Sequence, residues 1–163
     1  MAIRNIRGVE DEILRKKSKE ILEIDEKIKT LLADMVETMH KYEGLGLAAP
    51  QVGILKRAIV VDIYDGKGPI QLVNPIIIKS SGKQTVEEGC LSIPNKYANV
   101  VRPSDVEVES LNENGERIKI EATGIMAVVL CHEIDHLNGE LFIDKMISGT
   151  LETVVENSEK EKI

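Results

Sequence analysis

Apolar residues recur with helical spacing between positions 25 and 42. Six of them fall at i, i+3, i+4, i+7, i+8 and i+11, which places them on one face: Ile28, Leu31, Leu32, Met35, Val36 and Met39. The stripe predicts an amphipathic helix that packs on a core. Asp25 is suited to cap its start and Gly44 to end it.

The middle of the chain has the alternation typical of strands. Residues 58–63 are apolar except for Asp62 and mostly β-branched, and a glycine-rich turn follows at 65–68. Two short apolar runs, 72–73 and 76–78, flank Asn74 and Pro75. Further on, alternating segments around 106–108 and 118–120 enclose residues 112–115, which predict a hairpin.

A second helix is predicted from about residue 124 to 138, with Gly139 as its left-handed cap. This segment is apolar on nearly all sides, which is typical of a buried helix. We therefore expect an α+β fold in which antiparallel sheets pack around this central helix, with another helix near the N-terminus. Residues 1–150 would form a single catalytic domain. Residues 151–163 would be a polar tail, frayed from 156 onwards.

Composition narrows the class of protein. The chain has 163 residues, 42% of them hydrophobic, and a formal net charge of −7, which argues against a protein-wide nucleic-acid surface. The basic cluster at 15–17 is flanked by acids and is interpreted as solvated surface. With two cysteines, no apolar leader and no long apolar run, we expect a cytoplasmic protein with no membrane segment and no direct nucleic-acid site.

The predicted central helix carries the sequence His132-Glu133-Ile134-Asp135-His136. Histidines at i and i+4 share a face, so both imidazoles can reach one metal ion. Glu133 is rotated away from that face, where it can act on a water as general base without ligating the metal. The alternative is a pair of histidines held by hydrogen bonds, which a buried helix disfavours.

A catalytic site needs a third protein ligand. Cys90 follows Gly89, which allows close backbone approach, but a free cysteine is often an inert core thiol, and spacing alone leaves both readings open. Cys131 is the competing thiol, but it points about 100° away from His132 around the helix. In the small-residue segment 44–53, Gln51 could donate to a developing oxyanion, although a plain helix cap and loop is the simpler reading.

Three segments together resemble the peptide deformylase family. They are Gly44-Leu45-Gly46-Leu47-Ala48-Ala49-Pro50-Gln51, Glu88-Gly89-Cys90-Leu91-Ser92 and the histidine motif continuing to Leu137. The resemblance implies removal of the formyl group from the N-terminal formyl-methionine of nascent polypeptides, with release of formate. It also implies one divalent metal ion, Fe(II) in the cell, with zinc, nickel or cobalt able to substitute.

The resemblance also implies residue roles. Cys90, His132 and His136 would bind the metal, Glu133 would be the acid/base, and Gln51 with the Leu91 backbone N–H would hold the oxyanion. The methionine side chain needs an apolar pocket, and the candidates for its lining and approach are a further set: Gly44, Leu45, Gly46, Ile125, Val128 and Val129. The alternative for some of the residues on the buried helix is a purely structural place in the core. Partners would be formyl-methionyl nascent peptides and, transiently, the ribosome.

One residue departs from the family pattern, because Cys131 stands where the family usually has glutamine. We expect it to alter the support of the neighbouring ligand and the sensitivity of the site to oxidation. Glu88, Arg102 and Asp135 are expected to support the ligands, with ordinary ion pairs as the alternative. Two rival functions stay open: a zinc peptidase using the same helix, and a non-catalytic metal or thiol sensor.

Overall fold

The structure is a computed structural model and describes residues 2–155 and 162–163. The first long helix, α1, spans Glu26–Lys41. Its start matches the prediction, because the Asp25 side chain accepts a hydrogen bond from the Ile28 N–H at 3.0 Å. Its end differs: Glu43, with φ of 56°, takes the left-handed conformation expected of Gly44. The Gly44 N–H closes the turn by donating to the Met39 carbonyl.

The described residues form eight strands, which follow or interleave with the helices, and every pairing between these strands is antiparallel. They are β1 (Gly46–Ala48), β2 (Ala58–Val61), β3 (Ile70–Ser81), β4 (Gln84–Cys90), β5 (Ile93–Arg102), β6 (Asp105–Leu111), β7 (Arg117–Thr123) and β8 (Glu152–Thr153). Five form one sheet in the order β1-β2-β3-β6-β7, and the other three form a second sheet in the order β4-β5-β8.

Strand β2 shows how the layers are arranged. Ala58 and Val60 belong to the buried cluster that includes the apolar face of α1. Ile59 and Val61 belong to a different cluster, which includes the second long helix, α2 (Gly124–Leu137). Because successive side chains of a strand point to opposite faces, the five-stranded sheet lies between the two helices. This explains why β2 is apolar on both faces.

Asn74 and Pro75 lie inside β3 rather than between two strands. The pairing of β3 with β6 shifts register between Val73 and Ile76, which marks a bulge. Asn74 adopts a φ of 53° there, and its side-chain amide bonds both the N–H and the carbonyl of Ile21. A proline has no N–H to donate, so a central strand tolerates it at such an irregularity.

Helix α2 is buried along most of its length, from Ala127 to Leu137. Gly139 follows it with a φ of 74°, and a Cβ there would lie 2.5 Å from the Arg15 carbonyl oxygen, so this position requires glycine. A one-turn helix, α3, spans Phe142–Lys145. The predicted α+β architecture around a central helix is confirmed. Over the described part of the chain, none of the helices has the length and apolarity to cross a bilayer.

The end of the chain differs in part from the expected frayed tail. Residues 156–161 lie outside the described residues. Lys162 and Ile163 are held by backbone hydrogen bonds to Leu45 and Gly89, and Ile163 is buried. Burial of the Ile163 side chain removes apolar surface from water, which favours a fixed position for this residue.

Candidate metal centre

Helix α2 brings His132 and His136 together on one face. Their ring centroids lie 4.9 Å apart with an interplanar angle of 69°. The Nδ1 of His132 donates to Glu88 Oε1 at 2.8 Å, which orients the opposite ring nitrogen away from the glutamate. That nitrogen, Nε2, is buried and has no hydrogen-bond partner among the described residues. A buried imidazole nitrogen left open in this way is a ready ligand.

Cys90 reaches the histidines from the end of β4. Its Sγ lies 3.5 Å from His136 Nε2. The preceding Gly89 packs against the ring of Tyr97, where a Cβ would come within 2.5 Å of a ring carbon, so the close approach of β4 to β5 depends on glycine. The pairing of these strands shifts register between Glu88 and Cys90, which re-aims the last residues of β4.

Cys90, His132 and His136 each offer a donor atom, and these atoms all lie within 4.8 Å of one another. Across residues 2–155 and 162–163 this is the one such group of three or more. Sulfur and imidazole donors in this number suit a tetrahedral ion such as Zn²⁺ or Fe(II) with one position left open. The donor set therefore fits a divalent metal ion.

The electrostatics around the histidines also fit a cation. Burial lowers the pKa of His132, but the neighbouring Cys90 and the hydrogen bond to Glu88 raise it well above its ordinary value. Positive charge is thus favoured at this point of the interior. Burial, together with the charge of His132, holds the pKa of His136 well below its ordinary value, so that imidazole is neutral and free to ligate.

Glu133 lies on α2 between His132 and His136 and is fully buried. Neither of its carboxylate oxygens has a hydrogen-bond partner within the described chain. Burial raises its pKa to about 7, and the positive charge of His132 partly offsets that rise. The carboxylate packs on the backbone of Gly46, where a Cβ would lie 2.6 Å from Oε2. The Glu133 carboxylate therefore has space at this point only because residue 46 is glycine.

Gln51 is held so that its amide nitrogen faces the metal donors. Its Oε1 accepts from the Ala48 N–H at 2.9 Å, which fixes the orientation of the side-chain amide. Its Nε2 donates to Ser92 Oγ at 3.0 Å and lies 3.5 Å from Cys90 Sγ. Ser92 is a part of this arrangement that the sequence analysis did not single out, although it is the last residue of the quoted motif.

Glu88, Arg102 and Asp135 form a buried ion network behind His132. Arg102 donates through Nε and Nη2 to the two oxygens of Glu88, at 2.7 and 2.9 Å, and through Nη1 to Asp135 at 2.6 Å. Burial would raise the pKa of Glu88, but the hydrogen bonds from Arg102 and His132 lower it to about 2. Lys145 extends the network outward by binding Asp135 at 2.9 Å. All three residues expected near the ligands are brought together.

The expected pocket residues separate into two groups. Leu45, Val128 and Val129 belong to one buried apolar cluster. Ile125 lies in the first turn of α2, is 37% exposed, and is not part of that cluster. Its role in a pocket stays a prediction.

Cys131 is buried, and burial raises its pKa to about 11. A thiol with so high a pKa is protonated at neutral pH and reacts slowly with oxidants, because the thiolate is the reactive form. This disfavours the sensor interpretation, which requires a responsive pair of thiols. It also makes Cys131 a less reactive neighbour of His132 than its position in the sequence indicates.

Fold and site together define an α+β protein with a candidate metal centre formed by β4 and α2. A buried acid on α2 has no hydrogen-bond partner among the described residues. A family model described as "Polypeptide deformylase" matches residues 3–151. The chain therefore belongs to the polypeptide deformylase family, whose members are hydrolases.

Individual relatives agree with this assignment. The chain is 53% identical over 167 residues to "Peptide deformylase" of Acetivibrio thermocellus, covering 100% of this chain and 97% of the relative. A crystal structure of a peptide deformylase from Legionella pneumophila superposes with a TM-score of 0.87 at 46% identity, covering 90% of this chain and 88% of that one. One from Synechococcus elongatus in complex with actinonin gives 0.86 at 39%, covering 90% and 80%.

Proposed function

We propose that this chain is a metal-dependent deformylase that removes the formyl group from the N-terminal formyl-methionine of newly made polypeptides and releases formate. The observation that carries the proposal is the carboxylate of Glu133, which is buried on the helix that bears His132 and His136 and has no hydrogen-bond partner among the described residues. An unpaired buried carboxylate is costly, and such a group is expected where water or substrate completes its hydrogen bonds. Membership in the deformylase family supports the formyl substrate.

Cys90, His132 and His136 would hold one divalent ion. Bound there, the ion would supply Lewis-acid activation of water and of the formyl carbonyl. Glu88 orients His132 through its hydrogen bond, and Arg102 and Asp135 fix Glu88 in turn. Such outer contacts hold a ligand's ring orientation and tautomer.

Glu133 would move the proton. With its pKa raised to about 7 by burial, it can accept a proton from the attacking water near neutral pH and deliver it to the departing amine. The released products are formate and a free methionine N-terminus. The same group serves both steps because its pKa lies near the working pH.

Gln51 and the backbone N–H of Leu91 would stabilise the negative charge that develops on the formyl oxygen. Ala48 anchors the oxygen of the Gln51 amide, so the donor end is aimed toward Cys90 in advance. Donors fixed in this way stabilise charge without reorganising during the reaction.

The buried apolar cluster at Leu45, Val128 and Val129 is the proposed pocket for the methionine side chain. Gly44 and Gly46 let the side chains of Leu91 and Glu133 approach the backbone closely at the edge of this pocket. A formyl carbon carries only hydrogen, so a site with little room beside Glu133 would admit it and exclude larger acyl groups.

We assign Fe(II) as the ion in the cell, with zinc, nickel or cobalt as substitutes that the same donors accept. A reducing cytoplasm would keep Cys90 free as a ligand and the iron ferrous, and it is where nascent chains emerge. The proposed setting is therefore N-terminal processing during protein biosynthesis, with transient contact to the ribosome.

The test is formate release by protein purified without oxygen and loaded with Fe(II). A short formyl-methionyl peptide is compared with the matched acetyl-methionyl peptide and the peptide with a free amine. Release from the formyl peptide alone supports the proposal. Cleavage of the free peptide would support the zinc-peptidase alternative instead. A folded, metal-loaded protein that releases no formate would overturn the proposal.

A further inference from the structure

Lys162 and Ile163 lie between two backbone segments of the candidate site. Lys162 makes a parallel bridge with Gly44, and its carbonyl accepts from the Leu45 N–H at 2.8 Å. On the other side, the Ile163 N–H donates to the Gly89 carbonyl at 3.1 Å. The two residues are thus held through their backbone from both sides, in the way that sheet edges bind extended peptides.

The side chain of Ile163 is buried in the apolar cluster that also contains the residues of the proposed methionine pocket. It is 2% exposed and belongs to the same apolar cluster as Leu45, Val128 and Val129. Val155, the last residue described before positions 156–161, is 81% exposed. Among the described residues from 151 onwards, Ile163 is therefore the one with a buried side chain, and it lies next to the candidate site.

The backbone anchors lie next to the residues assigned to the chemistry. Leu45 precedes Gly46, whose backbone packs on the Glu133 carboxylate. Gly89 precedes Cys90, one of the three metal donors. A segment bound by Leu45 and Gly89 therefore lies between the two stretches of backbone that carry Gly46 and Cys90.

We propose that Lys162–Ile163 is an internal competitive ligand of the active site, with Ile163 in the methionine pocket, and that it must leave before a formylated peptide binds. The inference rests on the proposed function for the identity of the competing substrate. A tethered ligand is present at an effective concentration that reaches the millimolar range. The apparent affinity for substrate is the intrinsic affinity multiplied by the fraction of molecules whose site is open.

The first test replaces the side chain in the full chain. Ile163→Asp places a charge in the apolar cluster and should release the segment, with Val155→Asp as the matched control at an exposed position. If the segment fills the site in about four molecules of five, Ile163→Asp lowers KM about fivefold with kcat unchanged. Ile163→Gly should act in the same direction. Unchanged KM in both Ile163 variants would overturn the proposal.

The second test does not use turnover, so it separates this inference from the proposed function. Amide hydrogen exchange is measured for Leu45 and Ile163 in the protein as purified, and again in Ile163→Asp. Protection of Leu45 that is lost in the variant and is independent of protein concentration supports an internal ligand. Protection lost on dilution would mean that the segment binds a second copy, and no protection would mean no binding; either overturns the proposal.

The two tests together distinguish a failure of the proposed function from a failure of the internal-ligand proposal. If neither the wild type nor any variant releases formate, the proposed function fails. The exchange measurement then still decides whether Lys162 and Ile163 occupy the site. If turnover is normal and substitution of Ile163 changes neither KM nor the amide exchange, the proposed function stands and the internal-ligand proposal is wrong.

Discussion

Gly46 lies directly against Glu133, so that a Cβ at position 46 would come within 2.6 Å of the Glu133 carboxylate oxygen. The contact joins the small-residue segment before β2 to the histidine helix, two regions separated by more than half the chain. The reason for glycine at this position is the space it leaves for the carboxylate and not its backbone torsion, because Gly46 does not adopt a positive φ.

Gly46→Ala should therefore lower kcat by about a hundredfold, because it displaces the carboxylate from its position. Gly8→Ala is the control, since the added Cβ there meets only the exposed side chain of Glu10. Formate release and bound metal are measured on both. Normal kcat in Gly46→Ala would contradict the requirement for close approach.

Cys90 and Cys131 should respond differently to the same substitution. Cys90→Ala removes one of three donors and is expected to abolish retention of metal after dialysis, whereas Cys131→Ala retains the metal and most of the activity. The measurement is metal content per chain together with the shift of the thermal midpoint on adding metal, because a ligand of the folded state raises that midpoint. Loss of metal in Cys131→Ala alone would reverse the assignment of the two thiols.

Arg102→Met should reduce the free energy of unfolding by about 3–5 kcal/mol, because it leaves the buried Glu88 carboxylate without its main partner. Arg7→Met is the comparison: Arg7 pairs with Asp11 at the surface, and such pairs contribute at most about 1 kcal/mol. Urea unfolding of the metal-free protein measures both. Similar losses in the two variants would contradict a special role for the buried network.

The lowered pKa of Glu88 predicts a pH dependence. The folded state holds this carboxyl at about 2, against an ordinary value of 4.5, so its contribution is present above pH 4.5 and is lost as the pH falls toward 2. Between pH 6 and pH 3, the metal-free wild type should lose about 2 kcal/mol more stability than Glu88→Gln. Equal losses of stability in the two proteins would show that folding does not lower the pKa of Glu88.

Much of the fold was predictable because its signals are local. The periodicity of α1 and α2, the Asp25 cap, the hairpin between β6 and β7, and Gly139 after α2 all follow from neighbouring residues. The pair β4 and β5 was not predicted, because its members are stabilised by contacts between strands rather than by alternation. The left-handed turn at Glu43 instead of Gly44 likewise depends on how the following segment packs.

The candidate site divides in the same way. His132, Glu133 and His136 share a helix, so their spacing predicts their proximity, and the family resemblance adds Cys90 and Gln51. The bidentate contact of Arg102 with Glu88 and the packing of Gly46 on Glu133 required the tertiary structure. The binding of Ile163 could not be predicted, since a lone isoleucine in a charged segment carries no pattern.

The most direct test of the central proposal is Glu133→Ala, assayed for both formate release and metal content after loading with Fe(II) under anaerobic conditions. If Glu133 is the proton carrier and not a ligand, formate release from a formyl-methionyl peptide falls by about a thousandfold or more while one metal ion per chain is retained. Loss of the metal in this variant, or formate release at the wild-type rate, would contradict the assignment.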